Sequence, residues 1–213
     1  MKEVVLFFTG SFVSLFSIVN PLMAMPVFVY LTQKYTVERR SEIAKKSAFY
    51  ILGILLTFFV AGDFILKFFR LSIEGIRIAG GLMIMNNALD MLRRKDRLEP
   101  DEQQESEEKE DIAFSPLAMP LQSGPGSIAV IIGMTSDAHL AEQPLTYYPL
   151  IVGVICLVAF SCLILMSLAH ILTKKISTTA LRSFSKIMGF MVLCSGVQYI
   201  INGVMPLLKE VMK

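Results

Sequence analysis

Tryptophan is absent from this 213-residue chain, cysteine occurs three times, histidine twice, and charged residues make up only 18% of it. Each scarcity argues against a class of function. Cys156, Cys162 and Cys194 stand singly in apolar runs, with no CxxC pair, and read as small core residues that report no redox compartment. His139, in the loop after the fourth apolar run, and His170, near the end of the fifth, are too far apart to suggest a metal site. A metal-ion transporter would need several carboxylates or histidines facing one cavity, and the apolar runs offer at most Asp63 and Asp90. No GxxxxGK[ST] segment occurs, so coupling to ATP has no phosphate-binding loop. Without tryptophan, nothing in the runs resembles a large aromatic drug pocket.

What is present is apolar. Hydrophobic residues make up 54% of the chain, with 15 Phe and 13 Met, and the mean hydropathy is +0.61. An ordinary globular domain carries roughly 45–50%. The composition predicts an all-α, polytopic integral membrane protein whose principal partner is the lipid bilayer, with nothing that suggests nucleic acid. A span needs roughly 20 helical residues. Six runs qualify: Val4 to Tyr30, Lys46 to Phe69, Ile73 to Leu92, Ile112 to Thr135, Tyr148 to Thr173 and Phe184 to Leu208. The first is too long for the apolar part of a signal peptide and is not closed by a small-x-small cleavage site, so it is expected to stay as a span.

Between spans three and four, Arg93 to Asp111 packs five basic and nine acidic residues around Pro100. This is the signature of a solvated linker. It divides one membrane domain into residues 1–92 and 112–213, three spans each. Six of the 20 Lys and Arg fall on the side of the termini (Lys2, Lys67, Arg70, Arg77, Lys209, Lys213) and the remainder on the side of the linker. Basic residues near span ends are retained in the cytoplasm, which predicts a cytoplasmic linker and both termini outside.

Asn20-Pro21-Leu22-Met23-Ala24-Met25-Pro26 in span one returns as Ser115-Pro116-Leu117-Ala118-Met119-Pro120 in span four. Proline removes a backbone donor and pushes the preceding residue out of helical geometry. In hydrocarbon such breaks are tolerated only where the freed groups face protein or a water-filled cavity. Arg77-Ile78-Ala79-Gly80-Gly81 in span three likewise aligns with Lys186-Ile187-Met188-Gly189-Phe190 in span six. Three spans per half is odd, so the halves would enter the membrane from opposite sides as inverted repeats, with spans one and four broken. Matching breaks in two such halves point to a transporter's binding site.

With these motifs in order, together with Pro26-Val27-Phe28 and Gly124-Pro125-Gly126-Ser127, the chain resembles the MarC family of six-span inner-membrane proteins over nearly its whole length. That family is grouped with neutral amino acid transporters in the LysE-type exporter superfamily. The resemblance implies a bacterial inner-membrane location, two inverted three-helix repeats and, for some members, transport of alanine or glycine. The chain departs from the family pattern at Arg70, where glycine is usual, and at Asn86 and Asn87, where apolar residues are usual.

The expected substrate-binding residues are Asn20, Pro21, Ala24 and Pro26 in span one and Ser115, Pro116, Pro120, Ser123, Gly124, Pro125, Gly126 and Ser127 in span four. Gly124-Pro125-Gly126 allows an open backbone, and Ser127 would cap a new half-helix whose amides suit a carboxylate. A packing kink, with Ser123 and Ser127 as a small-xxx-small face, is the structural alternative. Asn20 would either bind substrate or satisfy backbone groups freed by the prolines. Carbonyls ending one half-helix and amides beginning the other would together suit a zwitterion.

Intramembrane polar residues are few. Asp63 is one turn before Lys67, an ion-pair spacing, with proton coupling as the alternative. Asp90 is expected to pair with Arg93 and Arg94, and Arg77 and Lys186 to reach opposite interfaces. Asn86 and Asn87 would bond between helices or line the pathway. The expectation is a carrier with no enzymatic activity, no cofactor and no resident metal, coupled to a proton or sodium gradient, to exchange, or to the solute gradient alone. It would move small neutral solutes, with a second copy of the chain as a candidate partner in a homo-oligomer. The alternatives are a structural or assembly protein, or an exporter of a different small solute or a metal ion.

Overall fold

The computed structural model describes residues 2–93, 112–140, 144–175 and 178–212, so the linker expectation lies outside the described residues. All regular structure there is helical: α1 Lys2–Val19, α2 Pro21–Leu31, α3 Val37–Phe69, α4 Ile73–Arg93, α5 Ala113–Gln122, α6 Pro125–Leu140, α7 Pro144–Lys175 and α8 Thr178–Val211. Among the described residues, four stretches are long and apolar enough to cross a membrane: Lys2–Leu31 through α1 and α2, Val37–Phe69, Leu145–Ile171 and Lys186–Lys209. The molecule is a polytopic membrane protein. Its outer surface carries Val60, Phe64, Phe68 and Phe160, while Thr32, Ser47, Gln122 and Ser123 are fully buried. That inversion of the usual water-soluble pattern suits a hydrocarbon solvent.

Several helices overrun the apolar runs. α3 begins nine residues before Lys46 because Thr36 caps it, its Oγ1 accepting from the Arg39 amide at 3.4 Å. Glu42 then pairs with Arg39 at 2.6 Å and Lys46 at 3.1 Å. Helical hydrogen bonding continues into water wherever caps and one-turn charge pairs support it, which an apolar-run criterion does not register. α3 ends on Arg70, left-handed at φ 52°, with the Leu71 amide donating to the Leu66 carbonyl at 2.9 Å. A glycine would take that geometry without cost.

The contacts set the directions of the helices. α4 and α8 run antiparallel: Gly203 meets Glu74 and Ile78 at one end, Gly196 meets Gly81 and Met85 in the middle, and Gly189 meets Met91 and Leu92 at the other. A Cβ on Gly81 would lie 2.7 Å from the Gly196 carbonyl oxygen, so these backbones touch because the residues between them are glycine. α3 and α7 are antiparallel too, with Phe59 against Tyr148 at one end and Arg40 against His170 at the other. α6 runs antiparallel to α4, Gly126 meeting Ile84, Gly80 meeting Ala129 and Asp137 pairing with Arg77. α7 packs on α1 through Phe7 and Tyr147. The core of Leu15, Ile51, Leu55, Ile84, Leu117, Ile131, Ile151 and Ile155 lies among these helices.

Other expectations change. His139 lies on α6 rather than in a loop, 2.9 Å from the Tyr148 hydroxyl. Cys162 is buried, but Cys156 and Cys194 face outward, on the surfaces of α7 and α8 that other helices leave uncovered.

Candidate functional site at two helix breaks

α1 stops at Val19 because Pro21 offers no amide to the Ser17 carbonyl four residues back. Asn20 turns the chain with φ 47° and ψ 61°, and its Oδ1 accepts from the Met23 amide at 3.4 Å, capping α2. Its Nδ2 faces the Met91 sulfur of α4 at 3.5 Å. Of the two roles open to Asn20, the structure supplies the backbone-satisfying one. Pro21 and Ala24 are buried. Pro26 does not break the helix: α2 continues through it to Leu31, and its ring is exposed.

The second break is longer. Ser115 (φ −126°, ψ 123°) and Met119 (φ −133°, ψ 130°) are both extended, each immediately before a proline, Pro116 and Pro120. The Ser115–Pro116 peptide is cis. A wide turn closes the segment, the Ser123 amide donating to the Ala118 carbonyl at 2.8 Å, and α6 starts at Pro125 after the buried Gly124. Ser127 is therefore in the first turn of α6 and is not its cap. Its hydroxyl donates to the Gln122 carbonyl at 2.8 Å, tying the new helix back to the break. α5 is anchored on α3, where the Ser47 hydroxyl donates to the Ala113 carbonyl at 2.9 Å.

At the centre of this break two side chains have nothing to bond. Gln122 and Ser123 are both 0% exposed, and Gln122 Nε2 and Oε1 and Ser123 Oγ lack any hydrogen-bond partner. Buried polar groups in native proteins are overwhelmingly paired, so three orphaned atoms side by side demand an explanation. They stand beside the N-terminus of a 16-residue helix, whose Gly126 and Ser127 amides have no carbonyl of their own helix to reach. The cluster offers amide and hydroxyl donors with one amide acceptor, a set suited to a small polar group. Sequence reasoning found Ser123 and missed Gln122; its one signal was an amide side chain in an otherwise apolar segment.

The breaks approach each other through Ile18, two residues before Asn20, whose Cγ2 would be 3.5 Å from a Cβ on Gly126. No hydrogen bond joins Asn20 to the second break among the described residues. The remaining polar candidates lie elsewhere. Asp63 is half-buried on α3 and forms no ion pair with Lys67. Its neighbour Gly62 meets Ile132 of α6, more than a turn beyond Ser127. Arg77 pairs with Asp137, joining α4 to α6. The Tyr199 hydroxyl donates nearby to the Val130 carbonyl at 3.3 Å. Asp137 lay just past the expected end of span four, which hid it. Asp90 is exposed and makes no ion pair with Arg93, and Arg94 lies outside the described residues. Asn86 and Asn87 are exposed on α4 and neither bond between helices nor face the breaks. No group of three or more His, Cys, Asp or Glu that could hold a metal occurs among the described residues.

Comparison with known proteins agrees with this architecture. The profile of the MarC family integral membrane proteins matches residues 5–208. A UPF0056 membrane protein of Methanocaldococcus jannaschii is 35% identical over 93% of this chain and 96% of its own length. The UPF0056 membrane protein YvbG of Bacillus subtilis is 32% identical over 95% and 97%. The UPF0056 inner membrane protein MarC of Salmonella typhimurium is 32% identical over 92% and 93%. No solved structure matches. A profile match across nearly the whole chain, with full-length relatives above 30% identity, places the protein in a family: it belongs to the MarC family of integral membrane proteins.

Proposed function

We propose that the protein is a secondary transporter of small neutral solutes, specifically neutral amino acids such as alanine or glycine, and not an enzyme. The observation that carries this is the fully buried, unpartnered Gln122 and Ser123 at the break before α6. Buried polar groups with no protein partner are suited to pair with a polar ligand. In this reading the solute's carboxylate accepts from Gln122 Nε2, Ser123 Oγ and the first amides of α6, where the helix dipole is positive. Its ammonium group meets carbonyls at the C-terminal end of α1, where Ser17 has lost its helical donor. Few fixed charges suit a solute of zero net charge.

An inverted-repeat arrangement supports the same reading. Residues 1–92 and 112–213 would each supply three spans, α4 and the broken α5–α6 completing the six, with α3 matched to α7 and α4 to α8. Those matched helices run antiparallel in contact with each other, as a two-fold axis in the membrane plane requires. The linker would be cytoplasmic and both termini outside. Coupling would come from a proton or sodium gradient, from exchange, or from the solute gradient.

The test is uptake and counterflow of radiolabelled alanine and glycine in proteoliposomes, with and without imposed sodium and proton gradients. Saturable, protein-dependent flux is expected, lowered by Gly126→Ala, whose Cβ would lie 2.8 Å from Ile84 Cγ1. Absence of flux under every gradient would remove the amino acid assignment.

A further inference from the structure

α4 carries a polar stripe that the chain itself leaves uncovered. Leu82, Met83, Asn86, Asn87, Asp90 and Arg93 are all exposed. Their spacings of one, three and four put them on one helix face, opposite the glycines that receive α8. The depth of the two asparagines follows from α8. Gly81 sits against Gly196 and Met91 against Gly189, so Asn86 and Asn87 lie level with the stretch between those glycines. That stretch is inside Lys186–Lys209, one of the helices apolar enough to cross the membrane.

Several outward-facing polar side chains elsewhere in the spans satisfy themselves. Thr9, Thr57, Ser161 and Ser195 each donate to a carbonyl one turn back, at 2.7–3.0 Å. Gln198 donates to Asn202 at 2.9 Å. Asn86 and Asn87 have no hydrogen bond to any described residue, which in lipid leaves two amides without partners. α4 also falls outside the helices apolar enough to span by composition.

We infer that this face of α4 is the interface with a second copy of the same chain. A carboxamide is both donor and acceptor, so an asparagine pair is complementary to its own copy across a two-fold axis. Two chains inserted in the same orientation share an axis along the membrane normal, which brings Asn86 and Asn87 of each copy to one depth. Leu82 and Met83 pack beside them. Toward the α4 C-terminus, Asp90 of one copy meets Arg93 of the other, an opposite-charge pair offset by one turn. The interface is independent of the Gln122 site, since α4 turns its other faces to α6 and α8.

The experiment uses full-length protein in which Cys156→Ser, Cys162→Ala and Cys194→Ser remove native thiols. Asn87→Cys is then oxidised in native membranes beside Phe64→Cys on the outer face of α3. The expected result is a covalent dimer from Asn87→Cys at least tenfold faster than from Phe64→Cys. Separately, photobleaching of singly labelled chains in dilute bilayers is expected to show two steps for wild type. For Asn86→Leu/Asn87→Leu, which places ordinary lipid-compatible residues at both positions, one step is expected. Equal cross-linking at the two positions, a wild-type monomer, or an undiminished dimer in the double variant would each overturn the inference.

Discussion

Replacing Gln122 by leucine separates a binding residue from a structural one. The side chain is fully buried with both polar atoms unpaired. An unsatisfied buried polar group costs about 1–3 kcal/mol, and a change of shape at similar volume costs less than about 1.5 kcal/mol. Gln122→Leu is therefore expected to stabilise the solute-free protein by roughly 1–2 kcal/mol, which on the scale of a domain of this size raises Tm by about 2–8 °C. The same change removes a donor to the solute, so flux is expected to fall at least tenfold. Wild type in solute at 100 times its Kd gains about 2.7 kcal/mol, whereas a variant that binds tenfold more weakly gains only about 1.4 kcal/mol at the same concentration. Heating in detergent followed by size-exclusion recovery, with and without alanine, reads the stability; proteoliposome uptake reads the function. A variant that is less stable yet transports normally would refute the reasoning, because the amide would then be a paired structural group.

Gly81→Ala is expected to lower Tm, since its Cβ would meet backbone atoms of α8 at 2.7 and 3.0 Å and overpacking costs about 1–3 kcal/mol. Gly53→Ala, with nothing within 4 Å, is expected to be neutral or stabilising in the same melt. Asn20→Ala loses the α2 cap and puts alanine at φ 47°, costing roughly 1–3 kcal/mol, whereas Asn20→Gly keeps the turn and costs less; their thermal stabilities rank the two terms. For Arg77 and Asp137, a double-mutant cycle with Arg77→Gln and Asp137→Asn is expected to give a coupling of about 0.5–2 kcal/mol, moderated by the half-exposed Asp137, and a coupling of zero would mean the bridge contributes nothing.

The proline breaks were legible in the sequence because their effects are local: Pro21 and Pro116 stand where helices end or open. The glycine contacts were not, since Gly80, matched in the repeat with Gly189, meets Ala129 of α6, while Gly81 and Gly196 bring α4 and α8 together. Pro26 shows the limit of that logic, since α2 passes through it to Leu31. Orientation of polar side chains was not legible. Asp63 and Lys67 had the spacing of an ion pair and do not form one, while Arg77 found Asp137 sixty residues away on another helix.

Apolar content and the repeated proline motif alone determined that this is an all-helical membrane protein with breaks at Asn20 and between Ser115 and Pro125, because hydrocarbon demands internally bonded helices and proline interrupts them. Which polar groups would be stranded was decided only by tertiary packing. Gln122 is orphaned and Asn86 uncovered because of where α3, α4, α6 and α8 come to rest, and burial depends on neighbours distant in the chain.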